Sequence, residues 1–275
     1  MSPYDYLLIP LGFVVGAYGT LVGAGGGFVL VPVLLLIFPN EPPVSITSIS
    51  LGVVFFNALS GSAAYARLKR IDYTTGIIFA AASFPGAIGG AFLVGYVPRT
   101  TFDIMFGAIL IVLALYTFWS AGRTELIRKP LTGWGVVTRE WTGPDGEVFR
   151  YSYNLPLGIA YTMFVGFLAT LLGIGGGVIH VPVMITVLQF PVHIAVATSH
   201  FVLVFGSLSG SVVHLSNGDL RGINLVRVAL LAVGVVPGAQ VGARLAQRFG
   251  GPAIVRFLTV ALLALGIRLI YGGLA

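Results

Sequence analysis

The sequence predicts an all-α polytopic membrane protein built from two inverted repeats, each a broken helical hairpin followed by three transmembrane helices. Three observations carry that expectation. The chain is too apolar to offer a water-facing surface, its apolar stretches have the length of bilayer spans, and a glycine-rich motif recurs together with the segments that follow it. Of 275 residues, 57% are hydrophobic and only 9% charged, with a mean hydropathy of +0.98, whereas a soluble domain carries about 25% charged residues.

Taken in order, the apolar stretches run from Tyr6 to Phe38, Val44 to Ala66, Thr74 to Val97, Phe102 to Ala121, Leu155 to Phe190, Val192 to Leu215, Ile223 to Ala246 and Ile254 to Leu274. Short breaks of Pro, Gly or charge separate them. Within a bilayer every backbone polar group must be bonded inside its own structure, and no alternating pattern of strand length appears, so these are helices and not barrel strands. The opening Met1 to Asp5 has no basic n-region and no small-residue cleavage site follows, so it reads as part of the first segment.

Tyr6 to Phe38 as one helix would span about 50 Å at 1.5 Å per residue, against a hydrocarbon core of about 30 Å. Three consecutive glycines stand in its middle, so it breaks there. It is either one long interrupted span or a hairpin of two half-helices that enters and returns. Segment length favours the hairpin, which leaves three full spans per half, an odd number, and therefore inverts the halves. Positive-inside counting does not decide between the two. The hairpin arrangement sets Arg67, Lys69, Arg70, Arg123, Arg128, Lys129, Arg244, Arg248 and Arg256 inside against Arg99, Arg221, Arg227 and Arg268 outside, and the continuous arrangement scores equally.

The segment from Gly122 to Tyr153 differs. Alternating β-formers flank Pro144-Asp145-Gly146, the pattern of an extramembrane β-hairpin. It divides the chain into a first transmembrane repeat (1–121), a cytoplasmic linker (122–153) and a second repeat (154–275). The repeats match in detail. Leu21 to Pro32, containing Gly23-Ala24-Gly25-Gly26-Gly27, aligns with Leu171 to Pro182, containing Gly173-Ile174-Gly175-Gly176-Gly177. Ser60-Gly61-Ser62 then falls on Ser209-Gly210-Ser211, and Pro85-Gly86-Ala87 on Pro237-Gly238-Ala239. Duplication of this kind is the usual construction of secondary transporters.

Charge and cysteine content narrow the partners. The net charge of +6 comes from fifteen Lys and Arg scattered at segment ends, so a lipid bilayer and not nucleic acid is the expected partner. With no cysteine there is no thiolate ligand or nucleophile, and neither a metal nor a cofactor is expected. Oligomeric state, including a homodimer, is left open.

Candidate chemistry centres on the duplicated breaks. After each triplet, Gly25, Gly26, Gly27 and Gly175, Gly176, Gly177, a half-helix begins near mid-membrane with unpaired N–H groups and the positive end of its dipole exposed. Such an end suits a small anionic substrate, and here it is made twice. The competing explanation is that the glycines only permit close helix packing. Ser50, Asn57, Ser199 and His200 on the following spans, with Gln240 after the second Pro-Gly-Ala, could replace the water shell of an anion, although many such groups simply bond helix backbone. All nine acids fall in loops or at segment ends, which argues against a cation site. If protons are coupled, His180, His200 and His214 are the candidates, since imidazole titrates near neutrality.

The doubled Gly-x-Gly-Gly-Gly segment leading to Val-Pro, the Thr47-Ser48 and Thr198-Ser199 pairs and the repeated Pro-Gly-Ala resemble the TauE/SafE family of sulfite and organosulfonate exporters. The likeness covers nearly the whole chain apart from Gly122 to Tyr153. It implies a bacterial or archaeal cytoplasmic membrane and ion-driven export of sulfite, sulfoacetate or a related anion. A passive anion channel could use the same helix ends. A Ser/His hydrolase built on Ser209 with His200 or His214 is disfavoured because Ser60-Gly61 repeats the dipeptide in a half without a matching His. No enzymatic activity is expected.

Overall fold

The computed structural model describes residues 6–121, 131–142, 148–249 and 251–274. Ten helices are present among them: α1 (Leu8–Val22), α2 (Gly27–Ile37), α3 (Pro43–Arg67), α4 (Tyr73–Leu93), α5 (Arg99–Ala121), α6 (Leu155–Leu171), α7 (Gly177–Thr186), α8 (Val192–Asn217), α9 (Ile223–Arg248) and α10 (Gly251–Leu274). A short 3-10 turn, Val94–Tyr96, follows α4. Among the described residues six helices are long and apolar enough to cross a membrane. They are α3, α4 and α5 in the first half and α8, α9 and α10 in the second.

Each long first segment breaks at its glycines and reverses. α1 ends in a Schellman cap: the N–H of Gly23, at φ 78°, donates to the Thr20 carbonyl, and that of Ala24 donates to Gly19 at 2.8 Å. The same bonds close α6, from Gly173 to Thr170 and from Ile174 to Ala169. Two further left-handed residues then turn the chain, Gly25 and Gly26 in one copy, Gly175 and Gly176 in the other. A side chain would strain the backbone there, which is why the sequence needs glycine at these places. α2 returns alongside α1, with Gly26 against Val15 and Phe28 against Tyr18. α7 likewise returns along α6, and the His180 ring lies 5.3 Å from that of Tyr161.

Side-by-side pairings give the sense of every helix. α1 runs parallel to α9 (Gly12 on Leu231, Gly16 on Val235) and α6 parallel to α4 (Gly158 on Phe79, Gly166 on Ser83). α3 is parallel to α9 (Gly52 on Val228, Ser60 on Val236) and α4 to α8 (Gly76 on Phe201, Ser83 on Gly206). α3 and α8 are antiparallel, since Gly61 faces His200 and Gly210 faces Leu51. α5 and α10 are antiparallel too, with Gly107 on Ile270 and Gly266 on Ile111. Corresponding helices of the two halves therefore run in opposite senses. α1 and α3 share one sense, so α2 must double back between them, and the hairpin alternative holds over the continuous span. Between α1 and α9, α4 and α6, and α5 and α10 the small residues set backbone against backbone, as expected where helices cannot be driven together by water.

The β-hairpin forms as the alternation indicates. β1 (Val136–Thr142) pairs antiparallel with β2 (Val148–Asn154), Val136 opposite Asn154 and Thr142 opposite Val148. The Pro144-Asp145-Gly146 turn lies outside the described residues. The strand continues directly into α6, whose N-cap is Asn154, its side chain accepting from Leu157 N–H at 2.9 Å. The hairpin is docked, not free. The Tyr151 phenol donates to Asp72 Oδ2 at 2.9 Å, Tyr153 and Thr75 share a hydroxyl bond of 2.6 Å, and both tyrosines pack on Phe190 in the turn before α8.

Candidate anion site at the paired helix breaks

The two hairpin tips meet at the centre of the protein. A β-carbon on Gly27 would lie 2.8 Å from the Gly173 carbonyl oxygen and equally close to Ile174 Cα, while one on Gly177 would strike Gly23 and Ala24. Gly25 and Gly175 face side chains of the central helices, Leu203 and Val54. These two, with Ala58, form a small apolar cluster between α3 and α8. Backbone contact and apolar side chains thus occupy the space directly between the triplets. Both α2 and α7 start at this level with an N-cap glycine that supplies no side-chain acceptor. The N–H groups of Gly27 and Phe28, and of Gly177 and Val178, have no acceptor among the described residues, as the first turn of an uncapped helix requires.

Serines from opposite repeats brace the tips. Ser50 Oγ donates to the Gly173 carbonyl at 2.6 Å, and Ser199 Oγ donates to the Gly23 carbonyl at 3.2 Å. Both sequence-derived serines therefore stand at the breaks, holding the carbonyl end of the opposite tip.

Behind the first tip lies a polar cluster. Thr20 Oγ bonds Asn57 Oδ1 at 2.9 Å, His200 Nε2 lies 3.2 Å from the same Thr20 oxygen, and the Tyr65 phenol donates to the Thr20 carbonyl at 2.7 Å. All four side chains are buried. The Thr20 hydroxyl can donate to Asn57 and accept from His200 at once, which leaves the second polar atom of each side chain. Asn57 Nδ2 and His200 Nδ1 have no partner among the described residues.

Behind the second tip the equivalent space is open. A cavity of about 10 Å³, room for one water-sized centre, is lined by Ser83, Thr170, Gly175, Gly176, His180 and Gly206 together with Val165, Gly166, Ala169 and Val202. His180 is 2% exposed and its Nδ1 has no partner among the described residues.

Two sequence-derived candidates lie apart from the tips. Gln240 donates to the carbonyl and hydroxyl of Ser60 at 2.7 and 2.9 Å and accepts from Arg67, fastening α9 to α3 near the far end of α3. His214 bonds Asp219 through Nδ1 at 2.9 Å near the end of α8. The acids whose partners are resolved stay at segment ends: Asp103 pairs with Arg99 and Glu41 with Arg227. Thr20, Tyr65, Ser83, Thr170 and Tyr161 escaped the sequence reading, because a single hydroxyl in an apolar helix looks like an ordinary packing residue. A usable signal was the duplication itself, which sets Thr20 and Thr170 at the same distance before Gly23 and Gly173.

Comparison with known proteins agrees with this architecture. The family model described as "Sulfite exporter TauE/SafE" matches residues 8–269. The chain is 34% identical to "Probable membrane transporter protein YunE" of Bacillus subtilis, over 98% of both chains. A probable membrane transporter protein of Methanocaldococcus jannaschii is 27% identical, over 94% of this chain and 91% of the relative. One of Sinorhizobium is 29% identical, over 94% and 89%. No solved structure matches.

Proposed function

This chain belongs to the TauE/SafE family of membrane transporters, and from that premise we propose that it is a secondary transporter exporting a small sulfur-containing anion, sulfite or an organosulfonate such as sulfoacetate, across the cytoplasmic membrane. The observation that carries the proposal is the meeting of two half-helix N-termini at the centre of the fold. Their N–H groups and dipoles favour negative charge, and beside the apolar Val54, Ala58 and Leu203 the polar groups near them are hydroxyls, an amide and imidazoles. A sulfonate spreads one negative charge over three oxygens, which suits several convergent donors.

Within this reading the substrate is held by the tips, Gly25, Gly26 and Gly27 with Gly175, Gly176 and Gly177, and by Asn57 and His200. Ser50 and Ser199 keep the tips in place, and Gln240 keeps α9 on α3. His180, His200 and His214 remain the proton-coupling candidates.

The test is reconstitution of the purified protein in liposomes. Vesicles preloaded with unlabelled sulfoacetate should accumulate external labelled sulfoacetate above equilibrium for a time. Flux that only equilibrates would establish the channel alternative. Absence of both flux and thermal stabilisation with sulfite, sulfoacetate, isethionate, sulfate and thiosulfate would overturn the substrate class.

A further inference from the structure

The two repeats are alike in backbone and unlike in the polar groups around their tips: Asn57 and His200 fill the space at the first tip, whereas a cavity stands at the second. The pairings Gly61–His200 and Gly210–Leu51 set Gly206 at the position corresponding to Asn57. In the first repeat Asn57 fills the space behind the tip and bonds Thr20. In the second, Gly206 leaves that space empty beside Thr170. A β-carbon added at Gly206 would meet only Ser83 Oγ, at 3.8 Å, so this glycine is not required by packing.

Three further substitutions around the second tip point the same way. His180 stands where the first hairpin has Leu30, Tyr161 where it has Leu11, and Ser83 where α9 has Val235. The exchange of apolar for polar groups is expensive unless something uses them: the Tyr161 hydroxyl and His180 Nδ1 are buried without a partner among the described residues. Of the two, His180 lines the cavity in the first turn of α7, so its unsatisfied nitrogen stands where a ligand atom in that cavity could complete its bonding.

We propose that the substrate anion is bound asymmetrically, with one oxygen of its sulfonate or sulfite head in the cavity behind the second tip, between Ser83, Thr170, Gly176 and His180, and that Gly206 is the residue that keeps this half-site open. The inference rests on the anion-transporter reading above and adds at which of the two tips an oxygen of the head is buried. The first repeat carries a built-in amide, Asn57, in the place the ligand oxygen takes in the second. The cavity, of about 10 Å³, has the size of one oxygen of the head. The first turn of α7 and the His180 imidazole supply the donors, and the Thr170 and Ser83 hydroxyls can turn from the helix carbonyls they now bond toward the ligand.

The repeats supply their own test, because each variant can install in the second half what the first already tolerates. Gly206→Asn places the amide of Asn57 in the cavity, and His180→Leu copies Leu30. Equilibrium binding of sulfoacetate and of sulfite to the purified full-length protein in detergent is measured beside the unfolding temperature. A hydrogen bond to a charged group is worth about 1.5–3 kcal/mol, so His180→Leu should weaken binding by about tenfold to a hundredfold. Gly206→Asn should remove binding while the unfolding temperature holds. Wild-type affinity in either variant, if folded, overturns the proposal. The two variants fail independently, so loss of folding in one leaves the other decisive. Lack of binding by the unmutated protein would instead remove the anion reading on which the inference depends.

Discussion

Replacing Gly26 and Gly176 by alanine, one at a time, should damage the protein unequally although the two positions correspond. Both residues hold a left-handed backbone, φ 81° at Gly26 and 96° at Gly176, and a side chain in that region costs about 1–2 kcal/mol. At Gly26 the new carbon would lie 2.7 Å from Val15 Cγ1 and 2.8 Å from the Val15 carbonyl oxygen. The second neighbour is helix backbone and cannot swing away, so a further overpacking cost of about 1–3 kcal/mol applies. At Gly176 the nearest atom is the Ala169 methyl at 3.1 Å, which needs to yield only a few tenths of an ångström. Gly26→Ala should therefore lose about 2–5 kcal/mol and Gly176→Ala about 1–2 kcal/mol. Denaturant unfolding in detergent micelles followed by circular dichroism measures both, with Gly95→Ala, which has no atom within 4 Å, as the unaffected reference. Equal losses, or a larger loss at Gly176, would refute the reasoning that the Val15 backbone crowds Gly26 while Gly176 borders free space.

The helix directions predict that a label at Asn40 and one between residues 122 and 153 are modified from opposite sides of the membrane, with the N-terminus on the Asn40 side; Met1 and Asn40 on opposite sides would contradict the hairpins. Tyr151→Phe should remove a charge-assisted bond to Asp72 worth about 1.5–3 kcal/mol, and faster amide exchange over residues 136–154 with unchanged helix protection would reveal it. Burial and the Asp72 carboxylate push the Tyr151 phenol well above its ordinary value of 10.0. The fold thus favours the protonated phenol: docking stability is fully present below the unfolded value and declines only as pH rises beyond it, so exchange protection that falls away below pH 10.0 would speak against this clasp. If a histidine carries the coupled proton, His200→Gln should abolish accumulation driven by a pH gradient and spare downhill exchange; unaltered pH dependence in single mutants of His180, His200 and His214 would exclude histidine coupling.

Much of the fold is legible because a bilayer reduces the choices. The apolar stretches become helices where expected, the glycine triplets become breaks, and the alternation around Pro144-Asp145-Gly146 becomes β1 and β2. Length favours the hairpins, since one helix from Tyr6 to Phe38 would overrun the hydrocarbon core. What the sequence does not reveal is which neighbour each glycine meets. Gly25, Gly26 and Gly27 look interchangeable in a row, yet one faces Leu203, one Val15 and one the other tip, because the turn rotates each by a different amount and two of the three partners come from the other repeat. Gln240 follows a motif that recurs, which suggests a site, but its reach is spent on Ser60 and Arg67. Tyr151 and Tyr153 are two apart and therefore share a face of β2, but nothing in the strand itself says that this face meets Phe190 and the start of α4.

The serine braces make a statement about how the tips move. Ser50 and Ser199 occupy corresponding positions, and each holds a carbonyl of the other repeat's tip, while the glycine contacts between the tips admit no spacer. A tip that moved alone would leave a buried carbonyl unsatisfied, at about 1–3 kcal/mol, and would part a close backbone contact. A displacement of both tips together keeps these interactions and shifts instead the pairs α1 on α9 and α6 on α4, whose faces are glycine against backbone. If the tips are one mechanical unit, the braces must be energetically coupled. Ser50→Ala and Ser199→Ala should each destabilise the protein by about 1–3 kcal/mol, and the double variant should depart from their sum by at least about 0.5 kcal/mol. Additivity within about 0.3 kcal/mol in that cycle would show that the two hairpins respond independently and that the tips are neighbours without being a unit.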